Sequence, residues 1–250
     1  MKRINVSLIA TLLCGLCVAA LAAIPSYVSS ALKDPARAKD AEADARRHPA
    51  DLVAFAQVKP GETVVDLIPG AGYFTRIFSQ IVGPRGHVYA ILPNEYAKED
   101  ADEVALMQAL VKDPHYANVT FLLQPAAQLS TPRPADVVWT SQNYHDYPDK
   151  FMGPTDTKIL NEEVLKVLKP GGVFVVVDHV AEAGSGMRDT DTLHRIDPQT
   201  VKDQVTAAGF KFDGESDVLR NPADDHKLKV FDPAIRGHTD QFSFRFRKAE

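Results

Sequence analysis

Polar side chains that close apolar runs are where chemistry is first sought in this chain of 250 residues. The run Val173 to Val177 stops at Asp178 and His179, and Ala135 to Thr140 runs into Ser141-Gln142-Asn143-Tyr144-His145-Asp146. An imidazole beside a carboxylate can serve as general base for a substrate hydroxyl or amine, the carboxylate fixing which ring nitrogen carries the proton. His145 or His179 is the candidate base, with Asp178 or Asp146 as its partner. The plainer alternative is that Asn143 and Asp146 build a turn and Asp178 satisfies loop amides. A third locus is Asp66-Leu67-Ile68-Pro69-Gly70-Ala71-Gly72-Tyr73. A strand ending in an acid and turning through glycines into a helix presents backbone N–H groups to a ligand and lets it approach closely, although glycine pairs also occur in tight turns alone.

Two further clusters have weaker claims. Arg195 and Arg188 could grip a carboxylate or phosphate through the donor fork of guanidinium, with surface arginine as the alternative. Asp197 before Pro198 is a helix N-cap. The run Asn221-Pro222-Ala223-Asp224-Asp225-His226 has carboxylates and an imidazole, but its spacing does not specify a metal, and turns and ion pairs packing an insertion over the site are expected instead. No metal is expected.

The elements that must position these residues alternate. Thr63–Leu67, His87–Leu92, Val119–Leu123, Ala135–Thr140 and Val173–Val177 read as strands. Stretches over 73–82, Glu95–Val111, Thr155–Leu168 and Pro198–Ala208 have helical periodicity. Such alternation predicts a parallel sheet covered on both faces. Phe210–Phe212 and Gln241–Phe246 add strands near the C-terminus, the latter alternating Phe with polar residues as a strand with one buried face does. Ligands in such sheets bind beyond the carboxyl ends of the strands, which is where Asp66, His145 and His179 fall.

The segments VVDLIPGAGYFTRIFSQIVGPRGHVYAI and LKPGGVFVVVDH resemble the class I S-adenosylmethionine-dependent methyltransferases over roughly residues 50 to 215. DLIPGAGYFT, NYHD, VVVDH, HRID, LRNPADDH and FDPAIRG are similar to a group of exported bacterial proteins known only as predicted methyltransferases. The resemblance implies a Rossmann-like, mostly parallel seven-stranded α/β sheet with an antiparallel C-terminal strand and helices on both faces. It implies S-adenosylmethionine as cofactor, with Asp66, Gly70 and Gly72 at its amino-acid end and Tyr73, Glu95 and Asn143 among the binding residues. The family commonly has glycine two places after the acid, where this chain has Ile68, followed by Pro69. Acids common after the second and third strands are absent at Leu92 and Pro125, leaving Glu95 and Gln124 as the nearest substitutes.

Composition narrows the partners. A formal net charge of -5, with no basic block, lacks the footprint of a nucleic-acid-binding protein. No Gly-x-Ser-x-Gly elbow, His-Glu-x-x-His helix or phosphate loop is present, which argues against serine hydrolase, zinc protease and nucleotide triphosphatase chemistry. Met1-Lys2-Arg3 and the apolar run after it read as a signal peptide over 1–22, the alternative being an uncleaved anchor, the one route to a membrane. A helical segment over 23–56 and a methyltransferase-like domain over 57–250, with an insertion at about 217–240, complete the expected organisation. Cys14 and Cys17 both lie in the leader, so a cleaved chain has no cysteine. The expected activity is methyl transfer to an unidentified small molecule. The alternative is an exported non-catalytic small-molecule-binding domain, because S-adenosylmethionine is made in the cytosol and the chain is expected to be exported, in a periplasm. Intact-mass measurement of the exported protein is expected to give a chain beginning near Ala23; a full-length mass in the membrane fraction would instead indicate the anchor.

Overall fold

The computed structural model describes residues 24–153 and 155–250. The expected signal peptide lies outside the described residues. Strands β1 (Thr63–Leu67), β2 (His87–Pro93), β3 (Val119–Gln124), β4 (Ala135–Ser141), β5 (Leu168–His179), β6 (Lys211–Ser216) and β7 (Gln241–Arg247) form one sheet. Their order is β3-β2-β1-β4-β5-β7-β6. β1 to β5 pair in parallel, and β7 runs antiparallel between β5 and β6. The Rossmann-like sheet expected from sequence is therefore present, antiparallel strand included.

All five residues of β1 are buried, as a strand between two helical layers requires. Successive side chains point to opposite faces. Val64, Val88, Trp139 and Val175 pack on one face with helices α1 (Ser26–Leu32), α3 (Pro49–Ala56) and α4 (Tyr73–Val82). α2 (Ala41–Arg47) lies between α1 and α3 in sequence. On the other face Val65, Tyr89, Val138 and Phe174 join α7 (Thr157–Val167) and α9 (Pro198–Ala207).

The helix expected over Glu95–Val111 is two helices, α5 (Asn94–Glu99) and α6 (Ala101–Leu110). Asp100 breaks it, at φ -133° and ψ 81°, by accepting the Glu103 N–H at 3.0 Å as N-cap of α6. The N-terminal helical stretch is similarly divided at His48, whose φ of 43° precedes Pro49 at the first position of α3. A four-residue helix, α8 (Thr190–Leu193), was not evident from periodicity.

Residues 217–240 contain no strand or helix, and Arg195 holds them down. Its guanidinium donates to both Asp224 carboxylate oxygens, at 2.8 and 3.1 Å, and to the carbonyls of Val180 and Leu228. Arg195 is fully buried. The substrate grip considered for Arg195 is thus replaced by a clamp between β5 and this segment, and Arg188 pairs with Glu182 and Asp189 on the surface. Arg195→Ala, which strands the buried Asp224 carboxylate, is expected to cost about 3–5 kcal/mol in urea unfolding, whereas Arg188→Ala should stay within about 0.5 kcal/mol of the parent.

Candidate active site

A cavity of about 1210 Å³ opens at the carboxyl ends of β1, β4 and β5. β1 and β4 are neighbours whose following helices pack on opposite faces, so neither connection covers the gap. Its floor is the glycine turn from Ile68 to Ala71. Its walls come from α2, from the α5–α6 corner, from the loop after β4, and from residues 230–239.

The glycine turn departs from the sequence expectation in an instructive way. Ile68 stands at φ 56°, a region that β-branched residues rarely adopt. Its N–H donates to Ile91 O at 2.8 Å, and its carbonyl accepts from the Asn143 side-chain amide at 3.1 Å. Asn143 lines the cavity and ties the β4 loop to the turn. Gly70, at φ 55°, also lines it, whereas Gly72 does not. A Cβ on Gly72 would lie 2.7 Å from Leu110 Cδ1, so that glycine serves the packing of α6 on α4.

The N-terminal segment is fastened to the turn through charge. Arg76 pairs with Asp40 at 2.7 Å and donates to Ala71 O at 2.8 Å. Tyr73 lines the cavity, and its hydroxyl donates to Asp44 at 2.5 Å. These contacts place Arg46 and Arg47 at the rim, Arg47 lying 4.8 Å above the Tyr73 ring. Asp66 is at the bottom and accepts from the Thr75 hydroxyl. Burial pushes its carboxyl up to about 7, opposed by the Thr75 bond and the Arg47 charge.

Glu95 does not reach the cavity. Its carboxylate accepts the Ala126 N–H at 2.9 Å, and Gln124 bonds Ser130 instead of facing a ligand. The acid that sequence reasoning missed is Glu103, on the first turn of α6. One of its oxygens lies 3.3 Å from where a Cβ on Gly70 would be, and the other is buried without a hydrogen-bond partner. Burial, then the neighbouring Asp100, raises its pKa. Asp100-x-x-Glu103 matches the N-terminal capping spacing, the one signal that could have placed this carboxylate at a helix start.

The opposite side of the cavity holds three imidazoles. His145 Nδ1 lies 2.8 Å from Asp178 Oδ1, and Nε2 lies 3.2 Å from Asp146 Oδ1 and 3.3 Å from His194 Nδ1. Asp178 lies behind them and does not line the cavity. Its oxygens also accept the backbone N–H groups of His145 and His179, at 2.9 and 2.7 Å. The sequence pair Asp178-His179 is therefore joined through the backbone, and the side-chain pair is Asp178–His145. Burial lowers the His145 pKa, but the Asp178 charge and bonds to both carboxylates outweigh it and hold the ring near 10. His179, bonded through Nδ1 to the Thr239 hydroxyl at 2.8 Å, is driven down by burial to about 3 and stays neutral. His194, which follows no apolar run and so carries no strand-end signal in the sequence, stands at φ 54° after α8, with its ring 4.9 Å from Phe231. Among the aromatic residues near the site, Tyr73 and Trp139 line the cavity and Tyr89 and Tyr144 pack in the core.

Residues 58–221 match the family model described as a methyltransferase domain. The chain belongs to this methyltransferase domain family. It is 30% identical over 125 residues to a protein-L-isoaspartate O-methyltransferase of Ignicoccus hospitalis, covering 50% of this chain and 51% of that one. It is 33% identical over 132 residues to an arsenite methyltransferase of Halobacterium salinarum, covering 52% and 30%. The chain thus spans about half or less of the length of these curated relatives. Among solved structures, a SAM-dependent methyltransferase from Aquifex aeolicus aligns with TM-score 0.55 at 19% identity, over 89% of this chain and 97% of that one. The cyclase SpnF aligns with TM-score 0.59 at 20% identity, over 80% and 79%. These two establish likeness of fold.

Because the folded state keeps Asp66 protonated to a higher pH than the unfolded chain does, the contribution of Asp66 to stability should fall as pH rises from about 4 to about 7. Asp66→Asn, which cannot ionise, is expected to gain on the parent across that interval by a few kcal/mol, on the order of the shift. Urea midpoints at a series of pH values measure this; parallel curves would mean that Asp66 ionises without penalty.

Proposed function

We propose that the chain is an S-adenosylmethionine-dependent methyltransferase acting on a small-molecule acceptor, with the donor over the glycine turn and the acceptor beside the histidines. The observation that carries this reading is the Glu103 carboxylate beside Gly70, one of whose oxygens is buried without a hydrogen-bond partner. A buried acceptor atom without a donor costs free energy that a ligand hydroxyl would recover. Asp66 adds a second acceptor at the end of β1, and Arg47 a cation on the facing wall. That combination suits a ligand with hydroxyls, an ammonium and a carboxylate, and Gly70 permits close approach. The missing acids after β2 and β3 are thereby offset by a carboxylate from α6.

The bound donor supplies an electrophilic methyl group on a sulfonium. The protein's own part is positioning. A cavity of about 1210 Å³ is larger than the several hundred Å³ that one small ligand needs, so donor and acceptor fit together. Phe231 and Val230 line the acceptor side with apolar surface. His179, neutral and fixed by Thr239, orients an acceptor hydroxyl or amine by hydrogen bonding, and Asp146, whose carboxyl the neighbouring His145 and His194 rings hold below its usual value against the effect of burial, offers lone pairs on the same side. Holding the acceptor in line with the methyl group provides the main acceleration.

Isothermal titration with S-adenosylmethionine and S-adenosylhomocysteine tests the donor half. Both are expected to bind, with Glu103→Gln and Arg47→Ala each weakening affinity about tenfold or more. A folded sample that gives no heat with either ligand would return the chain to the non-catalytic binding reading.

A further inference from the structure

Three side-chain atoms converge on one point at the acceptor wall. His145 Nε2, His194 Nδ1 and Asp146 Oδ1 are separated by 3.2, 3.3 and 3.7 Å, and all three residues line the cavity. Nitrogen and oxygen ligands about 2.0–2.2 Å from a tetrahedral ion lie about 3.3 Å apart. The three atoms thus have the spacing of ligands around a shared centre. At 3.3 Å the two ring nitrogens can share only one proton between them.

The surroundings of the triad have the form that ligating histidines require. His145 directs its other nitrogen to Asp178 at 2.8 Å, and Asp178 is itself fixed by two backbone N–H groups. A carboxylate behind a histidine sets the tautomer and orientation of the ring that binds an ion. His194 is held by its left-handed backbone and by Phe231. Three protein ligands leave coordination positions open, as in ions that act on substrates rather than hold a fold together.

We propose that His145, Asp146 and His194 bind one divalent first-row transition cation, best matched by zinc, with its open positions turned into the cavity. Two imidazoles and a carboxylate are the donor set that zinc and iron(II) share. The ion takes the place of the Nε2 proton of His145, which leaves to solvent. Resting on the methyltransferase reading, the acceptor is then an oxygen compound whose hydroxyl binds the ion and gives its proton to solvent water; the resulting oxygen anion forms the bond to the methyl group as the methyl–sulfur bond of the sulfonium breaks, leaving the neutral thioether S-adenosylhomocysteine.

Chelator-treated protein titrated with zinc chloride tests the site without any activity assay. We expect one zinc per chain, with affinity about 100-fold weaker in His194→Ala and about 10- to 100-fold weaker in Asp178→Asn. His238→Ala, on the exposed part of the 217–240 segment, should leave it unchanged. His194 is partly exposed, so its variant is expected to fold, which a thermal melt checks. Cobalt(II) in place of zinc should give a d–d spectrum that changes when acetohydroxamate, a small oxygen ligand, is added. Equal zinc affinity in His194→Ala and His238→Ala, or binding below one equivalent, would overturn the site; a cobalt spectrum indifferent to acetohydroxamate would overturn the open positions. Zinc binding with no heat from S-adenosylhomocysteine leaves the ion in place and removes the methyltransferase reading, and the reverse result removes the ion alone.

Discussion

The reversal of strand order between β1 and β4 is the constraint from which the site follows. With α4 on one face and α7 on the other, no connection passes over the two strand ends, and water must reach them. Polar residues are tolerated there because the gap exists, which is why Asp66 and Ser141 can end strands that are otherwise apolar. The remaining chain folds over this gap from two sides. In each case a guanidinium–carboxylate fork fixes the direction: Arg76 with Asp40 for the N-terminal segment, Arg195 with Asp224 for residues 217–240. A fork specifies angle as well as distance. Such pairs add little net stability once desolvation is counted, but losing one partner leaves a charge stranded.

Electrostatics then divide the enclosed space. Asp66 and Glu103 crowd the turn side, and burial raises both of their pKa values. The β5 side is organised around Asp178, whose two oxygens receive three N–H groups and have no contact with the cavity. Its effect reaches the cavity only through His145. The adjacent His179, denied that side-chain bond, stays neutral. The two imidazoles, His145 and His179, therefore end in opposite protonation states, because one ring faces two carboxylates and the other faces a hydroxyl.

The sheet was legible because its signals are local. Apolar runs mark β1 to β5 within a few residues, and alternating Phe residues identify β7 as the strand of different character, whereas β6, KFDGES, has no apolar run and only its start was expected. Parts of the site were legible for the same reason: Asp66, Gly70, Asn143, His145 and His179 sit at strand ends and do line the cavity. Glu95, Gly72 and Asp178 do not, since whether a side chain faces the gap or lies behind it depends on neighbours distant in sequence. Glu103 and His194 were hidden differently. Each sits on an element outside the strand ends, α6 and the turn after α8, and enters the cavity only because Asp100 breaks one helix and Thr190–Leu193 forms another.

Ile68 shows why matching residue types under-reads such a turn. The position calls for a left-handed backbone, and glycine is the residue that adopts it without strain. Isoleucine adopts it here at φ 56° because three tertiary interactions over-determine it: the bond to Ile91, the bond from Asn143, and burial of the side chain among Leu67, Tyr89 and Ile91. The shape of the turn is thus held from outside, by β2 and by the loop after β4. Asn143 accordingly has two positions to satisfy, the carbonyl of Ile68 and that of Ser141 at 2.7 Å. Through that one side chain, the turn and the start of the histidine-bearing loop share a fixed geometry, so the two halves of the cavity cannot move apart without exposing the strain at Ile68.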